Sequence, residues 1–106
     1  MGYDRCLRRT NTQNQKHIRA VAVRTEFIVI TQHAKLQMRK RGIGINEVYD
    51  VLRCGSIVRQ PEPNLGKGSL ECRMERYVGG RDCAVVVAIS DEYPELLVVT
   101  VMEIGN

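Results

Sequence analysis

The chain has 106 residues, enough for one hydrophobic core and too few for two, and at 43% hydrophobic and 26% charged it has the composition of a globular domain. No apolar run approaches the roughly 18 residues of a membrane-spanning helix, and the basic N-terminus lacks the unbroken apolar stretch of a secretory signal, so a small cytoplasmic domain is expected. The net charge of +4 is unevenly spread: residues 1–41 hold ten Lys or Arg against two acidic side chains, whereas residues 42–106 hold six against ten. A basic block at one end suggests a polyanion such as nucleic acid; it is equally the pattern of a solvated tail or of an acid–base match inside one fold.

Residues 1–25 read as a basic N-terminal arm, flexible or the product of an overlong translation start, with only Ile18, Val21 and Ala22 hinting at helical spacing. Residues 26–106 read as a single α+β domain. Glu26–Ile30 is β-branched and predicts a short strand. Thr31 is placed to cap a helix over Gln32–Arg41, which Gly42 stops. A second helix over Ile45–Arg53 carries Ile45, Val48, Tyr49 and Leu52 at i, i+3, i+4 and i+7, with Glu47 in its first turn.

Beyond Gly55 the period becomes that of strands. Ser56–Gln60 is a short strand ended by Pro61 and Pro63, and residues 64–68 make a turn. Leu70, Cys72 and Met74 alternate with charged residues, Gly79-Gly80-Arg81-Asp82 is a hairpin turn, and Cys83–Ile89 and Leu96–Met102 are buried strands. The expected fold is a strand and two helices followed by a four-stranded antiparallel meander, with the helices on one face of the sheet.

The four cysteines (Cys6, Cys54, Cys72 and Cys83) and two histidines lack the paired spacing of a zinc site, so no metal is expected and the cysteines read as reduced, small apolar residues. No cofactor motif is present: Gly66-Lys67-Gly68 has neither the spacing nor the following helix of a phosphate loop. The segment Thr31–Ile43 is the most informative. On a helix, His33, Gln37, Lys40 and Arg41 fall within about 100° of one another. His33 sits in the first turn, where the helix dipole disfavours its protonation and leaves an imidazole able to accept a proton near neutral pH. A base beside cations is what cleavage of RNA through its own 2′-hydroxyl requires. The blander reading is a histidine that caps or packs, a solvated face of Lys35, Arg39 and Lys40, and an ion pair between Arg41 and Glu47. On the third strand in chain order, the second of the meander, Arg73 and Tyr77 share a face with Glu71 and Glu75, within reach of Arg59. That is either a phosphate-binding face or a cross-strand salt-bridge ladder.

Thr31-x-His33-Ala34-x-x-x-Met38-x-x-Arg41-Gly42-Ile43, followed by Glu47-Val48-x-x-Val51-Leu52, Val85-Val86-Val87 and Leu97–Val101, resembles a family of short bacterial domains of unknown function with a His-Ala-x-x-Arg-Met-x-x-Arg-Gly-Ile helix. The resemblance covers residues 28–104. That family is distantly similar to the RelE and BrnT toxins, which implies a metal-independent ribonuclease with RNA as substrate and a cognate antitoxin as partner. The family's first arginine is replaced here by Gln37.

The leading expectation is therefore a toxin-like endoribonuclease. His33, Arg41 and Arg73 would be catalytic, His33 as base and the two arginines on the phosphate, and Gln37, Lys40, Arg59 and Tyr77 would contact nucleic acid. The alternatives are a non-enzymatic nucleic-acid-binding module working through residues 1–41 and a protein-interaction domain whose sheet edge docks a partner strand.

Overall fold

A computed structural model describes residues 10–64 and 66–105. Thr10 opens helix α1 (Asn11–Ala22) with a reciprocal capping box: its hydroxyl accepts from the Gln13 amide at 3.1 Å, and the Gln13 side chain accepts from the Thr10 amide at 2.8 Å. The expectation of an arm is corrected over this stretch, and residues 1–9 lie outside the described residues. Asn14, Ile18 and Ala22 form a buried stripe at four-residue spacing. Only two of those three are apolar, so the stripe is faint in sequence. Burial against the rest of the fold is what holds a helix with so little apolar surface of its own.

A single 3-10 turn (Thr25–Phe27) leads into β1 (Ile28–Ile30), shorter than the expected strand. Helix α2 (Gln32–Arg41) follows, capped by the Thr31 hydroxyl, which accepts from the Ala34 amide at 3.1 Å. Gly42, at φ 65°, ends it with the Ile43 amide donating to the Met38 carbonyl at 2.9 Å, a Schellman closure that needs a left-handed residue. Helix α3 (Ile45–Cys54) begins with the Gly44 amide donating to the Glu47 carboxylate at 3.0 Å. Its fully buried residues are Val48, Val51 and Leu52, while Ile45 is exposed. The apolar stripe is thus turned slightly from the one expected, because α3 packs on the sheet and against α1 at once.

The strands that follow are β2 (Ser56–Ile57), β3 (Glu62–Asn64), β4 (Ser69–Val78), β5 (Arg81–Ile89) and β6 (Leu96–Glu103). They join β1 in one six-stranded sheet of order β1-β6-β5-β4-β2, with β3 paired beside β2 on the same edge of β4. The antiparallel meander is as expected, and two details differ. The strand expected over Ser56–Gln60 ends at Ile57, and Glu62–Asn64 resumes the pairing despite Pro63, which an edge strand tolerates because its amide side need not be bonded. β1 adds to β6 in parallel, Ile28 opposite Leu96 and Ile30 opposite Val98. Gly79 and Gly80, at φ 65° and 82°, make the two-residue hairpin turn between β4 and β5, so Arg81 is already in the strand.

The three helices among the described residues contribute to one core on one face of the sheet. Ile18, Ala34, Val48 and Leu52 meet Cys72, Met74, Val85, Val87, Leu96 and Val101 there. One extra residue in β6, Val99, shifts the register between Val86 and Val87, which lets Val98 and Val101 both face the helices. The other face carries Glu71, Arg73, Glu75 and Tyr77 from β4, then Val86 and Ala88, then Leu97, Thr100 and Met102, and no described helix covers it.

Candidate functional site

Helix α2 runs beside β6, where β1 is too short to pair beyond Val98. His33 is exposed at its second position, and no hydrogen bond or ion pair holds it among the described residues. Lys40 and Arg41 are exposed at the far end, so His33 and Arg41 are separated along the axis by about 12 Å. Gln37 is tied to the sheet. Its side-chain oxygen accepts from the Val101 amide at 2.8 Å, occupying an edge position of β6 that no strand reaches. An arginine has no acceptor to offer there, so Gln37, the position expected to contact nucleic acid, makes a backbone tie that the family's arginine could not.

Arg41 does not pair with Glu47 through its side chain. Its carbonyl, together with that of Gly42, receives the Arg81 guanidinium, the first contact being 2.8 Å. Arg81 also lies 3.5 Å from the Glu47 carboxylate and 3.8 Å from Glu103. It thus gathers the end of α2, the start of α3 and the end of β6. The turn reading of Gly79–Asp82 hid this role. Cys83 follows two residues later, where burial pushes its thiol pKa upward against the opposing pull of Arg81.

Arg73 lies elsewhere. It projects from β4 onto the uncovered face, with β5 and β6 between it and the β6 edge that α2 follows, a gap of roughly 10 Å of sheet. The three residues expected to be catalytic, His33, Arg41 and Arg73, are therefore not brought together. Arg73 donates from Nε to the Glu75 carboxylate at 2.8 Å, an ion pair along one strand and not a rung across two. Tyr77 is 66% exposed further along β4, opposite Asp82 and outside the cavity beside Arg73.

Arg59 and Arg73 do converge, lining a cavity of about 240 Å³ with Glu62, Glu71 and Thr100. Arg59 reaches it from the bend after β2 and not from a strand. Glu62 and Glu71 are direct cross-strand neighbours in the β3–β4 ladder, which puts two carboxylates side by side. No hydrogen bond or ion pair engages the side chains of Arg59, Glu62 or Glu71 among the described residues. Two carboxylates can accept and return a proton, and two guanidiniums can hold an oxyanion between them. β3 escaped the sequence reading behind its prolines, and with it the pairing of Glu62 with Glu71. No group of three or more potential metal ligands is found among the described residues, and no helix among them is long and apolar enough to cross a membrane.

Comparison with curated proteins and with solved structures finds no match to the chain. A family described as a domain of unknown function, DUF4258, matches residues 30–103, from the last residue of β1 to the last residue of β6. The match thus takes in α2, α3, the meander and the cavity on its open face, and on that span the chain belongs to the DUF4258 family.

Proposed function

We propose that this domain is a toxin-like endoribonuclease that cleaves RNA without a metal, in the manner of the RelE and BrnT toxins, and that its reaction is carried on the uncovered sheet face instead of at α2. The observation that carries this reading is the cavity in which Arg59 and Arg73 stand with Glu62 and Glu71. Glu71 takes the proton of a ribose 2′-hydroxyl as that oxygen attacks the adjacent phosphorus. Glu62, as the general acid, gives a proton to the departing 5′-oxygen. The guanidiniums of Arg59 and Arg73 hold the phosphate oxygens on which charge accumulates. The proton lost and the proton gained balance, and the products are a 2′,3′-cyclic phosphate and a free 5′-hydroxyl. RNA places the activity in the cytoplasm, with a cognate antitoxin covering the open face.

The test is cleavage of a defined RNA in the presence of EDTA, alongside growth on induced expression. Glu71→Gln and Arg73→Ala should each lower the cleavage rate by about 10²-fold or more and relieve any growth arrest. His33→Ala should cleave at the native rate. Cleavage lost in His33→Ala but kept in Glu71→Gln would return the site to α2 and overturn the assignment.

A second reading rests on a separate observation. α2 exposes Lys35, Arg39, Lys40 and Arg41 and contains no acidic residue. A non-enzymatic module would bind nucleic acid through that face, with affinity falling steeply as salt rises and no cleavage at any protein concentration.

A further inference from the structure

Glu71 lines a second cavity as well. It lies next to the first along the uncovered face and has a volume of about 190 Å³. Its floor is apolar, made by Ala88 of β5 and by Leu97 and Val99 of β6, and Tyr93 from the β5–β6 connection stands at its rim, 71% exposed. Lys67, Ser69, Glu71, Ser90 and Glu92 supply its polar groups. Ser69 is buried, and Ser90 already accepts from the Glu92 amide at 3.0 Å, so its hydroxyl proton is free to be donated.

We infer that this cavity takes a nucleobase, that of the nucleotide adjoining the phosphate held at Arg59 and Arg73. The inference rests on the ribonuclease reading for its place in the reaction. A base is a flat heterocycle with apolar faces and a hydrogen-bonding edge, and this cavity offers an apolar floor, an exposed aromatic ring and two hydroxyls. Its size suits one ring system, with ribose and phosphate left outside. The sharing of Glu71 fixes the geometry further. A base seated over Leu97 and Val99 leaves its own ribose beside Glu71, where the 2′-hydroxyl has to lie for its proton to be taken. Few aromatic residues are needed for this, because a single seated base requires one ring and not the row of rings that general single-strand binding uses.

The experiment is a titration of the full chain, with labelled leucine and valine methyls observed by NMR. The probes are the four ribonucleoside monophosphates, with ribose 5-phosphate as the baseless control. The Leu97 and Val99 methyls should shift with at least one nucleotide and remain still with ribose 5-phosphate, and Tyr93→Ala should weaken that binding about tenfold. Methyls that stay silent with all four nucleotides, or that respond equally to ribose 5-phosphate, overturn the inference. RNA cleavage measured in parallel separates the two claims. Nucleotides that shift Leu97 while RNA remains intact uphold the base site and sink the nuclease, and cleavage with silent methyls does the reverse.

Discussion

Arg19 and Arg53 cap each other's helices. Arg19, on α1, donates to the Gly55 carbonyl from Nε at 2.9 Å and from Nη2 at 2.7 Å, and to the Cys54 carbonyl at 3.1 Å, at the end of α3. Arg53, on α3, donates from Nε to the Ala22 carbonyl at 2.8 Å, at the end of α1. Each cation thus meets carbonyls that its partner helix leaves without acceptor duty, at the negative end of that helix's dipole. Arg19→Met keeps the aliphatic stem and should lower stability by about 2 kcal/mol, the scale of charge-assisted hydrogen bonds that are partly shielded from water. Urea unfolding of Arg19→Met, Arg53→Met and the double variant should show the two losses failing to add, because either one already loosens the same pair of helices.

Gln37 makes a sharper case, because the expectation it replaces was functional. Gln37→Leu leaves the Val101 amide without its acceptor and should lower stability by about 1–3 kcal/mol. Gln37→Glu, which still offers an oxygen, should lose less. Amide exchange at Val101 is the local readout, and it should speed up in Gln37→Leu while amides in the centre of β5 keep their order of protection. Gln37→Arg should destabilise like Gln37→Leu and leave RNA cleavage no faster.

Gly79 is confined from two directions. Its φ of 65° is left-handed, and a Cβ there would run into the Glu47 carboxylate. Gly79→Ala should lower stability by about 1–2 kcal/mol from the backbone alone and more if Glu47 is pushed off Arg81. At Gly80, where nothing lies near the added carbon, Gly80→Ala should meet only the backbone penalty. The difference between the two in thermal unfolding measures the contribution of the Glu47 contact.

Burial raises the Cys83 thiol pKa above its ordinary value near 9. Because the folded state holds that proton more tightly than the unfolded chain, the associated stability is fully present below pH 9 and is lost as pH rises through the folded value. Urea unfolding should therefore show stability falling above about pH 9 in the native chain, with a shallower fall in Cys83→Val. At neutral pH a thiol reagent should label exposed Cys54 before Cys83, which it reaches only on unfolding.

What was legible in the sequence follows from how local each signal is. α2 and α3 were readable from Thr31, Gly42, Gly44 and Gly55, since a cap acts within one turn. The meander was readable because Leu70, Cys72 and Met74 alternate. α1 was hidden, although its Thr10–Gln13 box was in plain view, because Asn14 interrupts the apolar stripe. Strand alternation put Arg73 on the open face, and Arg59 joins it from a bend that alternation does not describe, yet their separation from His33 and Arg41 depends on how many strands intervene. That number is set by the order β1-β6-β5-β4, which no local spacing encodes. Arg81 was overlooked for a related reason, since its partners come from three different elements.

The parallel pairing of β1 with β6 has a kinetic meaning. Ile28 finds its hydrogen-bonding neighbours only at Leu96, after both following helices and the whole meander have been made. A loop of that length closes late, so the hairpins β4–β5 and β5–β6 should form first and β1 should dock afterwards. During synthesis the ribosome releases β1 long before its partner exists. Until then a three-residue apolar strand has no sheet to join, and the domain completes itself only once its last strand clears the exit tunnel.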